Sequence, residues 1–160
     1  MIEITSVSEP SGEVRQLVSE LDRVLAAEYP PEQRHGLSLA AIFQSHIRFY
    51  IVRLDGEAVG CAGLALFADF AEVKRMYIRG SVRGRGLAQA LLRRIEREAL
   101  AAGIRMLRLE TGDRQHAAIR LYERAGFRRC APFGAYSAMA PEAIATSVFY
   151  DKPLTEGGQE

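Results

Sequence analysis

Cysteine and histidine are scarce in this sequence of 160 residues, and neither forms a recognisable binding pattern. Cys61 and Cys130 have no close pairing and no metal-ligand spacing, which predicts two reduced, buried thiols. The three histidines, His35, His46 and His116, form no ligand pattern with each other or with the cysteines. We therefore expect no metal site.

Long hydrophobic runs are also absent. No apolar stretch approaches the length that crossing a bilayer requires, and the acidic start at Glu3 is unlike a signal peptide. With 48% hydrophobic and 26% charged residues, the composition is typical of a soluble globular protein, which we expect in the cytoplasm. No repeat or domain boundary interrupts the chain, so we expect one domain over residues 1–154 and a flexible polar tail over residues 155–160.

Net charge is nearly absent, but only as an average. The value of +1 hides 15 basic and 5 acidic residues between Lys74 and Arg129, against 6 basic and 15 acidic residues elsewhere. The basic part favours an anionic ligand and the acidic part a cationic partner, unless these charges merely solvate helix faces. Nucleic acid is not the expected anion, because the basic part lacks interleaved aromatic residues and any duplex-reading motif.

Hydrophobic periodicity and turn residues predict the order of the elements. Ser11 is a plausible N-cap for the first helix, Tyr29-Pro30-Pro31 ends that helix, and the segment Phe127–Tyr136 is assigned to no element. This order predicts a mixed sheet with helices on both faces. The predicted strands are Ile2–Thr5, Phe49–Leu54, Glu57–Phe67, Val73–Ile78, Met106–Leu109 and Ser147–Lys152. The predicted helices are the first, whose apolar stripe runs from Val14 to Leu25, a short one within Leu37–Ile47, Leu87–Ala102 and Ala117–Ala125.

The most informative motif is Arg83-Gly84-Arg85-Gly86, which lies between a predicted strand and a well-patterned helix. Glycines let the backbone approach a phosphate without a Cβ clash, and the first amides of a helix have no intrahelical partner. The two arginines add charge-assisted donors that fit phosphate oxygens. The loop therefore predicts a site for a diphosphate ligand.

Two motifs together carry a resemblance to a known family. The loop with Leu87 and Ala88 fits the Arg/Gln-x-x-Gly-x-Gly/Ala signature of the GNAT family of N-acetyltransferases. A second segment resembles that family's Asn-x-x-Ala-x-x-Leu-Tyr-x-x-x-Gly-Phe signature, except that Gln115 stands where Asn is usual. The resemblance covers Ile2 to Leu154, and the second segment reads Gln115-x-x-Ala118-Ile119-x-Leu121-Tyr122-Glu123-x-x-Gly126-Phe127.

The resemblance implies a twisted, mostly antiparallel sheet of about six to seven strands and acetyl-CoA as co-substrate, without a metal. It also implies that the fourth strand carries a bulge and splays from the fifth, so that the pantetheine arm fits between them. Through the matching positions it implies the coenzyme-binding residues Met76, Tyr77, Ile78, Arg83, Gly84, Arg85, Gly86, Leu87, Ala88, Gln115, Ala118 and Tyr122.

The resemblance further implies direct acetyl transfer to a primary amine in a ternary complex. Tyr122 matches the tyrosine that protonates the leaving thiolate, and a phenol has a pKa of about 10, against about 8.5 for a thiol. Glu72 is the first candidate for the base, with Glu110 or a water chain as the alternatives. A main-chain amide of Met76 or Tyr77 is expected to stabilise the oxyanion. A covalent intermediate on Cys61 is not expected, because no histidine stands in a recognisable partnership with it.

The acceptor is a small-molecule or peptide amine whose identity the sequence leaves open. Tyr29, Glu32, His35 and Tyr136 are the candidate acceptor-site residues, and Lys74, Arg75 and Arg48 are candidate anchors for an acidic acceptor. Membrane and nucleic-acid partners are not expected, and homodimerisation stays open. The alternative function is a non-catalytic acyl-CoA-binding or regulatory module with the same fold.

Overall fold

The structure, a computed structural model, describes residues 1–156. Most of the expected tail, residues 155–160, lies outside the described residues. The strands are β1 (Ile2–Val7), β2 (Ile47–Leu54), β3 (Glu57–Leu66), β4 (Ala71–Ile78), β5 (Met106–Gly112), β6 (Arg128–Arg129) and β7 (Ser147–Pro153). The α-helices are α1 (Gly12–Glu28), α2 (Leu39–Ile42), α3 (Leu87–Ala101) and α4 (His116–Arg124).

All seven strands form one sheet in the order β1-β2-β3-β4-β5-β7-β6. Every neighbouring pair is antiparallel except β4 and β5, which are parallel because α3 crosses over between them. The predicted mixed, mostly antiparallel sheet is confirmed.

The sheet separates two hydrophobic cores, which explains the alternation in β2. Phe49 and Ile51 pack with α1 on one face, whereas Tyr50 and Val52 pack with α3 on the other. The predicted helices on both faces are therefore confirmed.

Local signals locate the ends of the long helices well. The Ser11 side chain accepts a hydrogen bond from the Val14 amide, as an N-cap does, and α1 ends immediately before Tyr29. Gly103 follows α3 with φ +81°, the left-handed conformation that ends a helix.

No helix within residues 1–156 combines the length and the apolar character needed to cross a membrane.

The strand β4 contains the bulge that the family resemblance implies. Its register with β3 shifts between the pairs Cys61–Tyr77 and Gly63–Lys74, so that β4 has one extra residue there. Arg75 lies in the bulge with φ +56°, one of two non-glycine residues with positive φ in the described chain.

The same strand separates from β5 immediately before the bulge. The two strands pair only from Ala71 to Val73, opposite Leu107 to Leu109, and diverge beyond those residues. The expected splay is therefore present, and it opens a cleft between the second half of β4 and the end of β5.

The segment after α4, which no sequence pattern assigned, is mostly irregular. It contains the two-residue strand β6 and two short 3₁₀ helices, Gly134–Ala138 and Pro141–Ile144. Its aromatic residues Phe133 and Tyr136 are buried with Phe149 of β7 in a small third core. This segment therefore lies against the sheet beside the cleft.

An ion pair between α1 and Arg79, the residue directly after β4, should contribute measurably to stability. The Glu20 carboxylate accepts two 3.0 Å hydrogen bonds from the Arg79 guanidinium and one from the Tyr77 hydroxyl, which together hold its pKa below the usual range. A lowered pKa stabilises the fold above the ordinary pKa of the group and is lost as the pH falls. Glu20→Gln should therefore lower the free energy of unfolding by about 1–3 kcal/mol at pH 7, and the difference should shrink on acidification.

Urea unfolding at several pH values measures this effect. Glu57→Gln is the matched control, because Glu57 contacts the same arginine at 3.5 Å but is 74% exposed. An exposed pair of this kind contributes little, so the control should unfold like the wild type. Equal losses in both variants would contradict the assignment.

Candidate functional site

The loop before α3 has the geometry of an anion site. Gly84 and Gly86 have φ values of +82° and +79°, and a Cβ at either would meet nothing within 4 Å. The glycines are thus required by the backbone conformation and not by crowding. The amides from Gly84 to Gln89 donate to no backbone carbonyl within residues 1–156, so a row of N–H groups remains open at the start of α3.

Some side chains around this loop are exposed, where they could contact a ligand, and others are buried in the core. Arg83 and Arg85 are exposed, so their guanidinium groups can reach a bound anion. Leu87, in contrast, is only 2% exposed and packs in the main core. Of the predicted coenzyme-binding residues, Leu87 can therefore contribute its amide but not its side chain.

The cleft between the diverging strands gathers most of the other predicted site residues. Its walls come from β4, from the end of β5, from α4 and from the C-terminal part of α1. The predicted residues that line it are Glu72, Met76, Glu110, Gln115, Ala118 and Tyr122. Two distant parts of the sequence, the strand β4 and the second signature segment, are thus brought together in one cavity.

Tyr122 lies in this cleft with its ring packed edge-on against Phe127. It is only 5% exposed, and its hydroxyl makes no hydrogen bond with another residue of the described chain. Burial, with a smaller contribution from the Glu110 charge, raises the pKa of Tyr122 well above that of a free phenol. The hydroxyl therefore keeps its proton and can donate a hydrogen bond into the cleft.

Glu72 has two partners, both of which bind the same oxygen. The Tyr136 hydroxyl donates to Glu72 Oε2 at 2.7 Å, and Lys74 Nζ donates to it at 3.3 Å. Glu72 Oε1 accepts no hydrogen bond from residues 1–156. Glu72 is 6% exposed, so a buried carboxylate is held in place by one oxygen while the other remains available.

Glu110 is the second carboxyl group of the cleft. Its Oε2 accepts a 2.7 Å hydrogen bond from the Ser147 hydroxyl of β7. Burial raises the pKa of Glu110 above its usual range, and the charge of Glu72 adds to the increase. The two carboxyl groups therefore differ in environment, although both line the same cavity.

The main chain of β4 offers amides to the cleft. The Arg79 amide donates to the Val59 carbonyl of β3, and successive amides of a strand point to opposite sides. The Tyr77 amide therefore faces β3, and the amides of Met76 and Ile78 face away from it toward the cleft side. The Tyr77 side chain lies on the α1 face, where its hydroxyl binds Glu20, so Tyr77 does not line the cleft.

The four candidate acceptor residues lie in different parts of the structure. Tyr29 and His35 line the cleft, and Tyr136 lies in the adjoining groove described below. Glu32 is exposed and lines neither cavity. His35 Nε2 donates at 2.8 Å to the Ala143 carbonyl, which connects the α1–α2 segment to the C-terminal 3₁₀ helix.

The candidate anion anchors are already engaged or distant. Arg75 is buried and forms an ion pair with Asp22 of α1, and a Cβ at Gly36 would overlap its guanidinium group. Arg48 is exposed and lines neither cavity. Only Lys74 of the three reaches the junction of the two cavities.

A second cavity, which the sequence reasoning missed, adjoins the cleft. We call it the aromatic groove, and it shares His35, Gly36, Glu72 and Lys74 with the cleft. The sequence does contain a hint of this groove, because aromatic residues are concentrated in Phe67-Ala-Asp-Phe70 and Pro132-Phe133-Gly134. The remaining residues that line it are Leu37, His46, Ile47, Ala65, Phe67, Phe70, Phe133, Gly134, Ala135, Tyr136 and Met139.

The acidic part of the sequence does not converge on these cavities. Glu13, Glu20, Asp22 and Glu28 of α1 form ion pairs with arginines. Of the acidic residues outside Lys74–Arg129 that the structure describes, only Glu72 lines the cleft or the groove. These acidic residues of α1 thus form ion pairs within the fold and do not line a ligand site.

Cys61 lies apart from the site, with its thiol on the α1 face of the sheet. Burial raises the pKa of the Cys61 thiol to about 12, and its Sγ lies 3.5 Å from the Arg75 carbonyl as a donor. A thiol in this state is a poor nucleophile at neutral pH. Within residues 1–156, no group of three or more His, Cys, Asp or Glu side chains could hold a metal ion.

Comparisons with known proteins agree with this geometry. An Azospirillum brasilense protein named IAA acetyltransferase is 43% identical over 143 residues, which cover 88% of this chain and 90% of that protein. A Klebsiella pneumoniae structure, provisionally named an acyl-CoA N-acyltransferase, has 34% identity and a TM-score of 0.77, with 97% of this chain and 99% of that one covered.

A second similar structure shares the fold at low identity. It is a GNAT family acetyltransferase from Elizabethkingia anophelis with acetyl-CoA bound, with 17% identity, a TM-score of 0.68, and coverage of 96% of this chain and 98% of that one. The model of the acetyltransferase (GNAT) family matches residues 14–127. With its bulged and splayed β4, its open glycine loop and these relatives, the chain belongs to the GNAT family of acetyltransferases, which transfer acyl groups from acyl-CoA.

Proposed function

We propose that residues 1–154 form one domain that transfers the acetyl group of acetyl-CoA to a primary amine by direct attack. The observation that carries this proposal is the convergence of Glu72, Glu110 and Tyr122 in the cleft where β4 leaves β5. The Elizabethkingia anophelis structure binds acetyl-CoA, which supports the same coenzyme here.

The coenzyme would lie along the open edge of β4. The amides from Gly84 to Gln89 would bind the diphosphate, with Arg83 and Arg85 as charge-assisted donors. The pantetheine arm would occupy the gap between β4 and β5, where Gln115 and Ala118 contribute side chains. This arrangement needs no group other than those already exposed in the loop and the cleft.

The reaction would form a C–N bond and break the C–S bond of the thioester. The amine nitrogen attacks the carbonyl carbon, and the Met76 amide stabilises the oxyanion. The amine loses a proton to Glu72, whose Oε1 is available for it. The departing thiolate receives a hydrogen bond and then a proton from Tyr122, which burial keeps protonated.

Glu110 and a bound water chain remain the alternatives to Glu72 as the base. The raised pKa of Glu110 brings it closer to the operating range of a general base. Its position at the end of β5 lets it reach the same cavity. The two carboxyl groups therefore have to be separated by experiment.

Coenzyme binding is the first prediction of the proposed function. Acetyl-CoA at a hundred times its Kd should stabilise the fold by about 2.7 kcal/mol, which a thermal melt detects. Gly86→Asp should abolish this shift, since it adds a Cβ and a negative charge beside the diphosphate. Gly56→Asp is the matched control, because Gly56 has φ +88° and an equally open surrounding in the β2–β3 turn. A melt of the wild type that millimolar coenzyme leaves unchanged would exclude the proposed coenzyme.

The role of Tyr122 gives the second prediction. Tyr122→Phe should lower kcat by about 10²–10⁴-fold if the hydroxyl is the general acid, while the thermal shift by acetyl-CoA stays intact. Tyr150→Phe serves as control, because it removes another buried hydroxyl, which donates to Glu123 outside the cleft. Full turnover of Tyr122→Phe would reduce this residue to a packing role. Coenzyme binding without turnover on any amine would favour the non-catalytic module.

The identity of the base gives the third prediction. Glu72→Gln should lose rate at neutral pH and recover part of it at high pH, where the amine is already neutral. Glu110→Gln, measured over the same pH range, tests the alternative. Recovery at high pH in Glu110→Gln alone would move the base to that residue, and a pH-independent loss in both would indicate substrate positioning.

A further inference from the structure

The aromatic groove is built from interlocking rings. They run from His46 through Phe67, Phe70, Phe133 and Tyr136 to His35, with neighbouring centroids 5.0–5.6 Å apart. Arg108 stacks over Phe70 at 4.8 Å and lies 5.7 Å from the Phe133 centroid. Such packing fixes the ring positions before any ligand binds.

Apart from His46 at its far end, the groove is polar where it meets the cleft. Its charged residues, Glu72 and Lys74, stand at that junction, and the remaining walls are largely aromatic and aliphatic. It encloses about 440 Å³, a volume in the range of small-molecule sites. A ligand that fits must therefore have a polar end directed at the cleft and an apolar body.

At this junction the available group is an acceptor, Glu72 Oε1, so a polar end that meets it is a donor and not a carboxylate. The Lys74 ammonium has three N–H donors, and three acceptors surround it: the His35 carbonyl at 3.2 Å, Glu72 Oε2 at 3.3 Å and the Tyr136 hydroxyl at 2.9 Å. No donor of Lys74 is left for an acidic ligand, whereas Glu72 Oε1 is available to an amine. Lys74 is thus a positioning residue.

We infer that the acceptor is a primary amine attached to an apolar, ring-sized group, and that this group binds in the aromatic groove. The inference rests on the proposed function and specifies its substrate class. The nitrogen lies at Glu72 Oε1, on the path from the groove to the cleft, where the acetyl group is delivered. The acetyl transfer itself proceeds as in the proposed function.

The test compares 2-phenylethylamine with ethylamine, using acetyl-CoA and thiol release as readout. Burying a phenyl ring should raise kcat/KM for 2-phenylethylamine about ten- to hundredfold over ethylamine. Phenylalanine, which adds a carboxylate to the same body, should be a poorer acceptor than 2-phenylethylamine. Similar kcat/KM values for the two amines, or a preference for phenylalanine, would overturn the inference but leave the proposed function standing.

Two variants then locate the preference. Ala135→Trp places a large side chain at an exposed position on the groove, so the ratio of the two kcat/KM values should fall toward one. Ala138→Trp is the matched control, since Ala138 is exposed in the same 3₁₀ helix but lines neither cavity. An unchanged ratio in Ala135→Trp would place the ring elsewhere. Failure of both amines to react would overturn the inference, whereas the proposed function is contradicted only if no amine reacts while acetyl-CoA binds.

Discussion

The bulge at Arg75 is the constraint on which the rest of the site depends. A left-handed conformation costs a non-glycine residue about 1–2 kcal/mol, and here the ion pair with Asp22 and the contact with Gly36 hold Arg75 in place. The bulge lies where β4 leaves β5, so the Met76 and Ile78 amides face the cleft and not a partner strand. Since buried backbone groups need partners, this open edge suits a ligand that can pair as a strand does.

The two carboxyl groups of the cleft lie in different environments within one cavity. Like charges in a shared site disfavour joint ionisation, and neighbouring groups decide which acid remains charged. Lys74 and the Tyr136 hydroxyl both bind Glu72 Oε2, whereas burial raises the pKa of Glu110 above its usual range. Tyr136 also has a raised pKa through burial and both carboxylates, so it remains a donor to Glu72.

Local sequence signals predicted the sheet, the helices and the glycine loop, because each depends on residues close together in the chain. The Ser11 cap and the φ values of Gly84, Gly86 and Gly103 are of this kind. The length of β5 was underestimated, because its last residues up to Gly112 are held by pairing with β7, a distant strand. The Arg75 bulge came only through the family resemblance, since no local residue pattern announces it.

The coenzyme side of the proposed site could be predicted from the sequence better than the acceptor side, and the reason is physical. The proposed coenzyme side is made of backbone amides, which the sequence encodes through glycines and a helix start, and these recur as motifs. The proposed acceptor side is made of side chains from separate segments, such as Phe70 in the β3–β4 loop and Phe133 and Tyr136 beyond α4. The contact between Tyr136 and Glu72 joins residues 64 positions apart, which no spacing rule connects. Loops can vary without disturbing the sheet, so the same transfer machinery can be matched to different acceptors by changing only these segments.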